Sequence, residues 1–238
     1  MKGPYGLELS EDCQNCKLRG NGFFCQFSNP VLQDFEEIRS SSVYPAGAVL
    51  FVEKQSCRGV YVLCEGEVKL SITSREGKTM IVKIAKAGEM LGLLAMISGT
   101  SYEVTAETLR PSQIVFINRE EFLYFIGQHR EAHQNMVKQL SAQYHATCEL
   151  VRTLGLTSSV PEKLAKLLLD WSADAPKTKS GTKIKLPLTH EEIAECIGVT
   201  RETVSRTLGE FKQRKLIVLQ GATLMIPDRA ALERVVNF

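Results

Sequence analysis

The sequence predicts an α+β chain of two domains: an antiparallel β sandwich or barrel, a long helix, and a smaller helical domain closed by a β hairpin. Three observations carry this. Between Val43 and Asn118 the apolar residues fall in short alternating runs separated by turn residues, the pattern of many short antiparallel strands. From about Arg130 to Leu154 the spacing switches to helical without a break. Beyond Ser159, short helical and strand-like segments follow one another over small distances.

With 238 residues, 44% hydrophobic and 24% charged, the chain can bury two cores without disulfides. No run approaches ~20 uninterrupted apolar residues, so no membrane span is expected. The opening MKGPYGLELSEDCQNC lacks the apolar stretch of a secretion signal. A cytoplasmic protein with no membrane partner is therefore expected. Seven cysteines, an odd count, suit a reduced compartment better than a disulfide framework.

Residues 1–28 hold Cys13, Cys16 and Cys25 and show little periodicity. Ser28 or Asn29 is placed to cap a short helix, with Pro30 near its first turn and Val31, Phe35 and Ile38 on one face. Strand runs follow at 49–52, 60–64, 68–72, 80–84 and 114–117, with turn signals at 45–47, 65–66, 75–78, 87–88 and 98–99. A short helix at 120–126 precedes the long one. The long helix sets Met136, Leu140, Tyr144, Thr147, Val151 and Leu154 at steps of four and three, a coiled-coil seam expected to pair two copies of the chain. The competing reading is a stripe that covers the helix's own sheet. Ser159-Val160-Pro161-Glu162 reads as a capping box opening a helix through Trp171. A strand at 183–188, two short helices, a hairpin at 217–219 and 224–226 turning at Gln220-Gly221-Ala222, and a last helix capped by Asp228 complete the chain. The expected divisions are 1–28, 29–127, 128–156 and 157–238.

The two short helices lie in THEEIAECIGVTRETVSRTLGEFKQRKL, residues 189–216. Ile193, Ala194 and Ile197 form the inner face of the first, and Val204 and Leu208 that of the second. Gly198 sits at the sharp turn between them. Thr200 caps the second helix. That leaves Arg201, Glu202, Ser205 and Arg206 in its first two turns, where a helix-turn-helix reaches base edges. Arginine grips guanine through two hydrogen bonds, and glutamate accepts from cytosine N4. Lys212, with Arg214 and Lys215, is placed for phosphates, and Thr189 completes the candidate DNA-binding set. Between Val199 and Val218 five basic residues face two acidic ones, a modest excess. The bland alternative is a helical hairpin with a solvated charged face. The order helix, turn, helix, hairpin matches a winged helix-turn-helix.

IGVTRETVSRTLGEFKQRKLI resembles the recognition segment of the CRP/FNR transcription regulators. The resemblance extends over nearly the whole chain. It implies a cyclic-nucleotide-binding-like β-roll (a jelly roll), a long dimerisation helix and a C-terminal winged helix-turn-helix. It also implies a homodimer on a palindromic double-stranded DNA promoter site, with RNA polymerase as a further partner. Glu-Thr-Val-Ser-Arg, Glu202 to Arg206, is similar to the FNR branch and implies TTGAT-type half-sites read by Glu202, Ser205 and Arg206. In the CRP branch the β-roll binds cAMP through a glutamate and an arginine. Here Leu93 and Thr100-Ser101 stand at those places and no arginine lies between Arg75 and Arg110, so cAMP is not expected.

Cys13-x2-Cys16-x8-Cys25 resembles the N-terminal ligands of the FNR oxygen sensor's [4Fe–4S] cluster. Thiolates so spaced suit an iron–sulfur cluster or zinc. The family's fourth cysteine lies in the last β-roll strand, where this chain has Val115. Cys57, Cys64, an acidic residue such as Asp12, or a water is left as fourth ligand. Cys64, alternating with Val60 and Val62, itself reads as a small buried hydrophobe. The expected function is DNA-binding regulation responsive to oxygen or redox state. The alternatives are reversible thiol oxidation, a small molecule sensed in the β-roll without a cluster, or a metal-dependent enzyme. For the last, His129 and His133 stand at i, i+4 without the glutamate order of a zinc protease, and no catalytic residues are assigned.

Overall fold

The structure is a computed structural model. It describes residues 3–236 apart from positions 8, 10, 11, 21, 23, 157, 158, 174, 176, 179, 180, 187 and 222, and leaves out the side chains at 177, 178 and 185. The chain divides into two compact units, Met1–Ala146 and Thr147–Phe238.

In the first unit a 3-10 turn (Pro4–Gly6) and the cysteine segment lead to helix α1 (Asn29–Glu37). Eight strands follow: β1 (Ser40–Tyr44), β2 (Val49–Phe51), β3 (Gly59–Glu65), β4 (Glu67–Thr73), β5 (Thr79–Lys86), β6 (Met90–Leu91), β7 (Thr105–Thr108) and β8 (Ser112–Asn118), with the short helix α2 (Leu93–Ser98) between β6 and β7. They form two antiparallel sheets, β1-β8-β3-β6 and β2-β7-β4-β5. The β3–β8 pair explains the apolar run of β8. Ile114 and Leu63 face the second sheet in one core with Phe51, Val68 and Tyr102. Val115, Ile117, Val60 and Val62 face the other way, into a core with Phe24, Phe27, Phe35, Phe122 and Phe125. The β3–β8 pair is thus buried on both faces.

Helix α3 (Arg119–Gln128) is capped by the Asn118 side chain, which accepts from the Glu120 N–H at 2.9 Å. Helix α4 (Arg130–Gly155) follows at once. Its buried residues in this unit, Ala132, Asn135, Met136 and Gln139, lie on one helical face, and Leu140 packs on the same core. This corrects the expected seam. Met136 is 6% exposed and belongs to the core, whereas Val137, Tyr144 and Val151 are 52%, 70% and 63% exposed. Each step of four residues drifts about 40° around a helix. Two such steps from Met136 carry the stripe from the core face to the solvent face. Val137, Tyr144 and Val151, spaced at seven residues, carry the exposed apolar face of α4.

The second unit continues α4 and adds α5 (Val160–Trp171), β9 (Lys177–Thr178), β10 (Gly181–Lys185), α6 (His190–Ile197), α7 (Arg201–Gln213), β11 (Val218–Gln220), β12 (Thr223–Ile226) and α8 (Arg229–Val236). The strands form one sheet, β11-β12-β10-β9. Leu164, Leu168, Ile193, Val204, Leu208, Phe211, Leu224 and Leu232 are among the unit's buried apolar residues. The strand expected at 183–188 is β10, displaced toward the N-terminus. Ser159 forms one half of the expected capping box, accepting from the Glu162 N–H at 3.2 Å. The Asp228 carboxylate caps α8 through the Ala230 N–H at 2.9 Å. In the β11–β12 turn, Ala222 lies outside the described residues. No helix among the described residues is long and apolar enough to cross a membrane.

Candidate nucleic-acid interface and cysteine cavity

Helices α6 and α7 are each fixed by their ends. Thr189 and Glu192 form a full capping box: the Glu192 N–H donates to the Thr189 hydroxyl at 3.2 Å, and the Thr189 N–H donates to the Glu192 carboxylate at 2.9 Å. Thr189 is exposed but its hydroxyl already serves this cap. Gly198 ends α6 at φ 71°, a left-handed conformation that lets the chain reverse. Thr200 caps α7, accepting from the Thr203 N–H at 3.3 Å. Val204, Thr207, Leu208 and Phe211 are buried on one side of α7. Arg201, Glu202, Ser205, Arg206 and Lys212 are exposed, and Arg201, Arg206 and Lys212 enter no ion pair among the described residues. The Glu202 backbone N–H and the Thr200 hydroxyl hold the Glu202 carboxyl below the usual carboxylate range. A solvent-facing stripe of two guanidinium groups, one carboxylate and one hydroxyl therefore opens α7.

Sequence reasoning missed His190. Its Nδ1 and the Ser205 hydroxyl are hydrogen-bonded at 2.9 Å, which ties the first residue of α6 to the exposed face of α7. The far end of α7 closes in a Schellman arrangement. The Leu216 N–H donates to Phe211 O at 2.9 Å and the Lys215 N–H to Lys212 O at 3.0 Å. Lys215 takes the left-handed position, φ 56°, that glycine usually fills.

The second feature is a cavity in the first unit. Cys13, Cys16, Cys25 and Cys64 line it together with Asp12, Phe24, Phe35, Arg39, Val62 and Val115. The long gap between Cys16 and Cys25 is taken up by a turn. The Arg19 N–H donates to Cys16 O and the Gly20 N–H to Cys25 O, each at 2.9 Å. Gly22, at φ 84°, lies so close to Gly88 that a Cβ would come within 2.5 Å of its carbonyl oxygen. Burial pushes the Cys13 thiol up to about 11 and the Cys25 and Cys64 thiols up to about 12, and the neighbouring thiols add to the rise in each. A coordinated electrophile would reverse this, because a metal-bound thiol loses its proton outright. Soft sulfur donors on a mostly apolar wall, with one guanidinium, fit an iron–sulfur cluster. Among the described residues no three His, Cys, Asp or Glu side chains converge to hold a single ion.

The remaining candidates lie elsewhere. The Asp12 carboxylate accepts from the Asn15 N–H at 2.6 Å and from Asn15 Nδ2 at 3.2 Å, so it caps the Cys13 turn. The Cys57 thiol points to Gly59 O at 3.5 Å. Cys148 is exposed and Cys196 is buried in the helix pair. Leu93 is a core residue at the start of α2, while Thr100 and Ser101 are exposed. His129 lies 3.1 Å from Asp34 and packs on the Phe125 ring, so the two-histidine pattern is half spent on a contact with α1.

The cysteine segment is anchored on both sides. The Cys13 N–H donates to the Glu36 carboxylate on α1. Phe24 and Phe27 are buried among Phe35, Phe122 and Phe125. The Ser28 N–H and hydroxyl donate to the Glu131 carboxylate, in the first turn of α4, at 3.0 and 2.8 Å. Ser28 precedes α1 as expected, but its side chain serves this contact instead of the helix cap.

Two family models match the chain: a cyclic nucleotide-binding domain over residues 42–129 and a Crp-like helix-turn-helix domain over residues 162–235. The chain is 27% identical over 192 residues to the CRP-like cAMP-activated global transcriptional regulator of Mycobacterium tuberculosis, covering 80% of this chain and 85% of that protein. It is 28% identical over 218 residues to the transcriptional activatory protein AadR of Rhodopseudomonas palustris, covering 90% of each. The structure of FixK2 from Bradyrhizobium japonicum superposes with a TM-score of 0.74 at 19% identity, over 83% of this chain and 97% of that one. The global regulator CLP of Xanthomonas campestris superposes with a TM-score of 0.75 at 18% identity, over 84% of this chain and all of the other. Both halves of the fold and the exposed face of α7 lead to one conclusion: the chain belongs to the CRP/FNR family of DNA-binding transcription regulators.

Proposed function

We propose that this regulator works in the cytoplasm as a homodimer on inverted repeats of TTGAT-type half-sites, and that oxygen or redox state controls its DNA affinity through an iron–sulfur cluster on the N-terminal cysteines. Glu202, Ser205 and Arg206 read the bases, Arg201 supports them, and Lys212 meets phosphate. RNA polymerase is the further partner. When bound, the cluster supplies an oxygen-labile, redox-active centre. The chain's own residues do the rest. Cys13, Cys16 and Cys25 hold the segment on the cavity, Phe24 and Phe27 seat it in the core, and Ser28 passes its position to Glu131 at the start of α4. Ordering the segment favours the seam on α4, and two paired chains present two recognition helices to half-sites one helical turn apart. A ligand shifts such an equilibrium only by its different affinity for the two states.

The observation that carries the sensing half is that the three cysteines share one cavity while Phe27, just after Cys25, is buried against Phe125 on α3 and Ser28 bonds to Glu131 on α4. Reversible thiol oxidation is a second reading. The raised positions of Cys13 and Cys25 count against it, because the thiolate is the reactive form. Zinc in place of the cluster would make the site structural.

The DNA half is tested with anaerobically purified protein and fluorescence anisotropy on a TTGAT inverted repeat and a scrambled duplex. The repeat is expected to bind more tightly. Arg206→Ala should weaken that binding by about 1–3 kcal/mol per half-site, roughly five- to 160-fold, with little effect on the scrambled duplex. Equal affinity for both duplexes, unaffected by Arg206→Ala, refutes the assignment.

A further inference from the structure

We propose that Cys64, on β3, is the fourth ligand of the cluster held by Cys13, Cys16 and Cys25. This rests on the iron–sulfur reading above and adds to it the residue that completes the ligand set. Val60, Val62 and Cys64 alternate along β3, and Val60 and Val62 face the aromatic core behind the cysteine segment. Val62 pairs with Val115 on the neighbouring strand β8, and both line the cavity. Two residues beyond Val62, Cys64 stands at the irregularity between Leu63 and Glu65 in the β3–β8 register, a kind of site that re-aims a side chain. The strand next to Val115 thus supplies the thiol that β8 lacks.

The competitors are otherwise engaged. Asp12 holds the Asn15 turn. Cys57 is directed at Gly59 O, beside the Tyr102 hydroxyl, and does not line the cavity. Cys64 has only a weak contact of its own, 3.9 Å to Val62 O. Of seven cysteines in the chain, four meet at this one cavity. Four thiolates would bring net negative charge into a half-buried place. The Arg39 side chain, 11% exposed and 3.8 Å from the Glu36 carboxylate, lines the same wall and offsets part of it.

The test uses the full chain, reconstituted anaerobically with ferrous iron and sulfide. Wild type is compared with Cys64→Ala, Cys64→Val and Cys57→Ser. Cys64→Val keeps the apolar volume of the core, so a Cys64 that is only a packing residue tolerates it. Visible absorbance, iron and sulfide content, and thermal melting are read together. Wild type and Cys57→Ser are expected to hold about four iron atoms per chain. Both Cys64 variants should melt near wild type and yet lose iron, or lose their colour in air at least about tenfold faster. If they match wild type in iron content, spectrum and air stability, Cys64 is not a ligand and the proposal falls while the cluster reading stands. If wild type itself takes up no iron–sulfur chromophore, or binds zinc alone, the cluster reading falls and takes the proposal with it.

Discussion

Replacing Val151 with alanine separates the two faces of α4. Two methyl groups leave, worth ~0.8 kcal/mol each when fully buried. Val151 is 63% exposed in the single chain, so pairing can recover about two thirds of that, or about 1 kcal/mol per chain. Two-fold symmetry doubles it to about 2 kcal/mol, roughly thirtyfold in the dimer dissociation constant. Sedimentation over a concentration series measures the change, and melting temperature should hardly move. Met136→Ala is the control. Met136 is 6% exposed in the core of the first unit. Its truncation should cost about 2–5 kcal/mol of folding stability, with dimerisation of the folded fraction unaltered. Unchanged self-association in Val151→Ala, or a Met136→Ala chain that is fully stable but monomeric, refutes the corrected phase of the seam.

Other expectations follow from single contacts. Lys215→Gly relieves the left-handed residue that ends α7 and should stabilise the second unit by about 0.5–1 kcal/mol in urea unfolding. If Lys215 meets phosphate in the proposed complex, the same change should lower the salt slope of DNA binding by about one per chain. His190→Ala frees the Ser205 hydroxyl from its partner. It should narrow the preference for the specific duplex while leaving low-salt binding to random duplex unchanged; an unaltered preference would make the contact structural only. Glu149 is held below the usual carboxylate range by Lys166 on α5 and by Arg152. A depressed carboxyl stabilises the fold above its unfolded value and loses that contribution as pH falls through the folded value. Glu149→Gln should therefore melt slightly lower at pH 7, and the difference should vanish at pH 3; a difference that persists there contradicts the ion-pair origin.

Much of this was legible in the order of residues, for reasons that differ from element to element. The helix pair announces itself because Thr189, Glu192, Gly198 and Thr200 are end signals with a local mechanism. β3, β4, β5 and β8 show because their apolar residues recur at strand spacing. β1 and β7 escape notice since Ser-Ser-Ser and Glu-Thr dilute the alternation, and β6 and α2 are too short to show a period. Met136 belongs to the core of its own unit, as steps of four and of three look equally helical in sequence but diverge around the axis. Cys64 illustrates a deeper limit. A cysteine alternating with valines fits a buried hydrophobe and a ligand equally well. Only the β3–β8 pairing and the Phe24–Phe27 anchor bring it to Cys13, some fifty positions away. His190 was missed for the same reason, since its partner Ser205 lies across the turn.

In the proposed mechanism one four-sulfur site governs one DNA-reading helix. Its most direct measurement is affinity for the TTGAT inverted repeat in a single sample, first under anaerobic conditions and again after exposure to air, with iron content followed in parallel. The expected result is tight, sequence-selective binding by the iron-loaded dimer and loss of that binding in step with loss of iron. Selective binding of equal strength before and after complete loss of iron would contradict it.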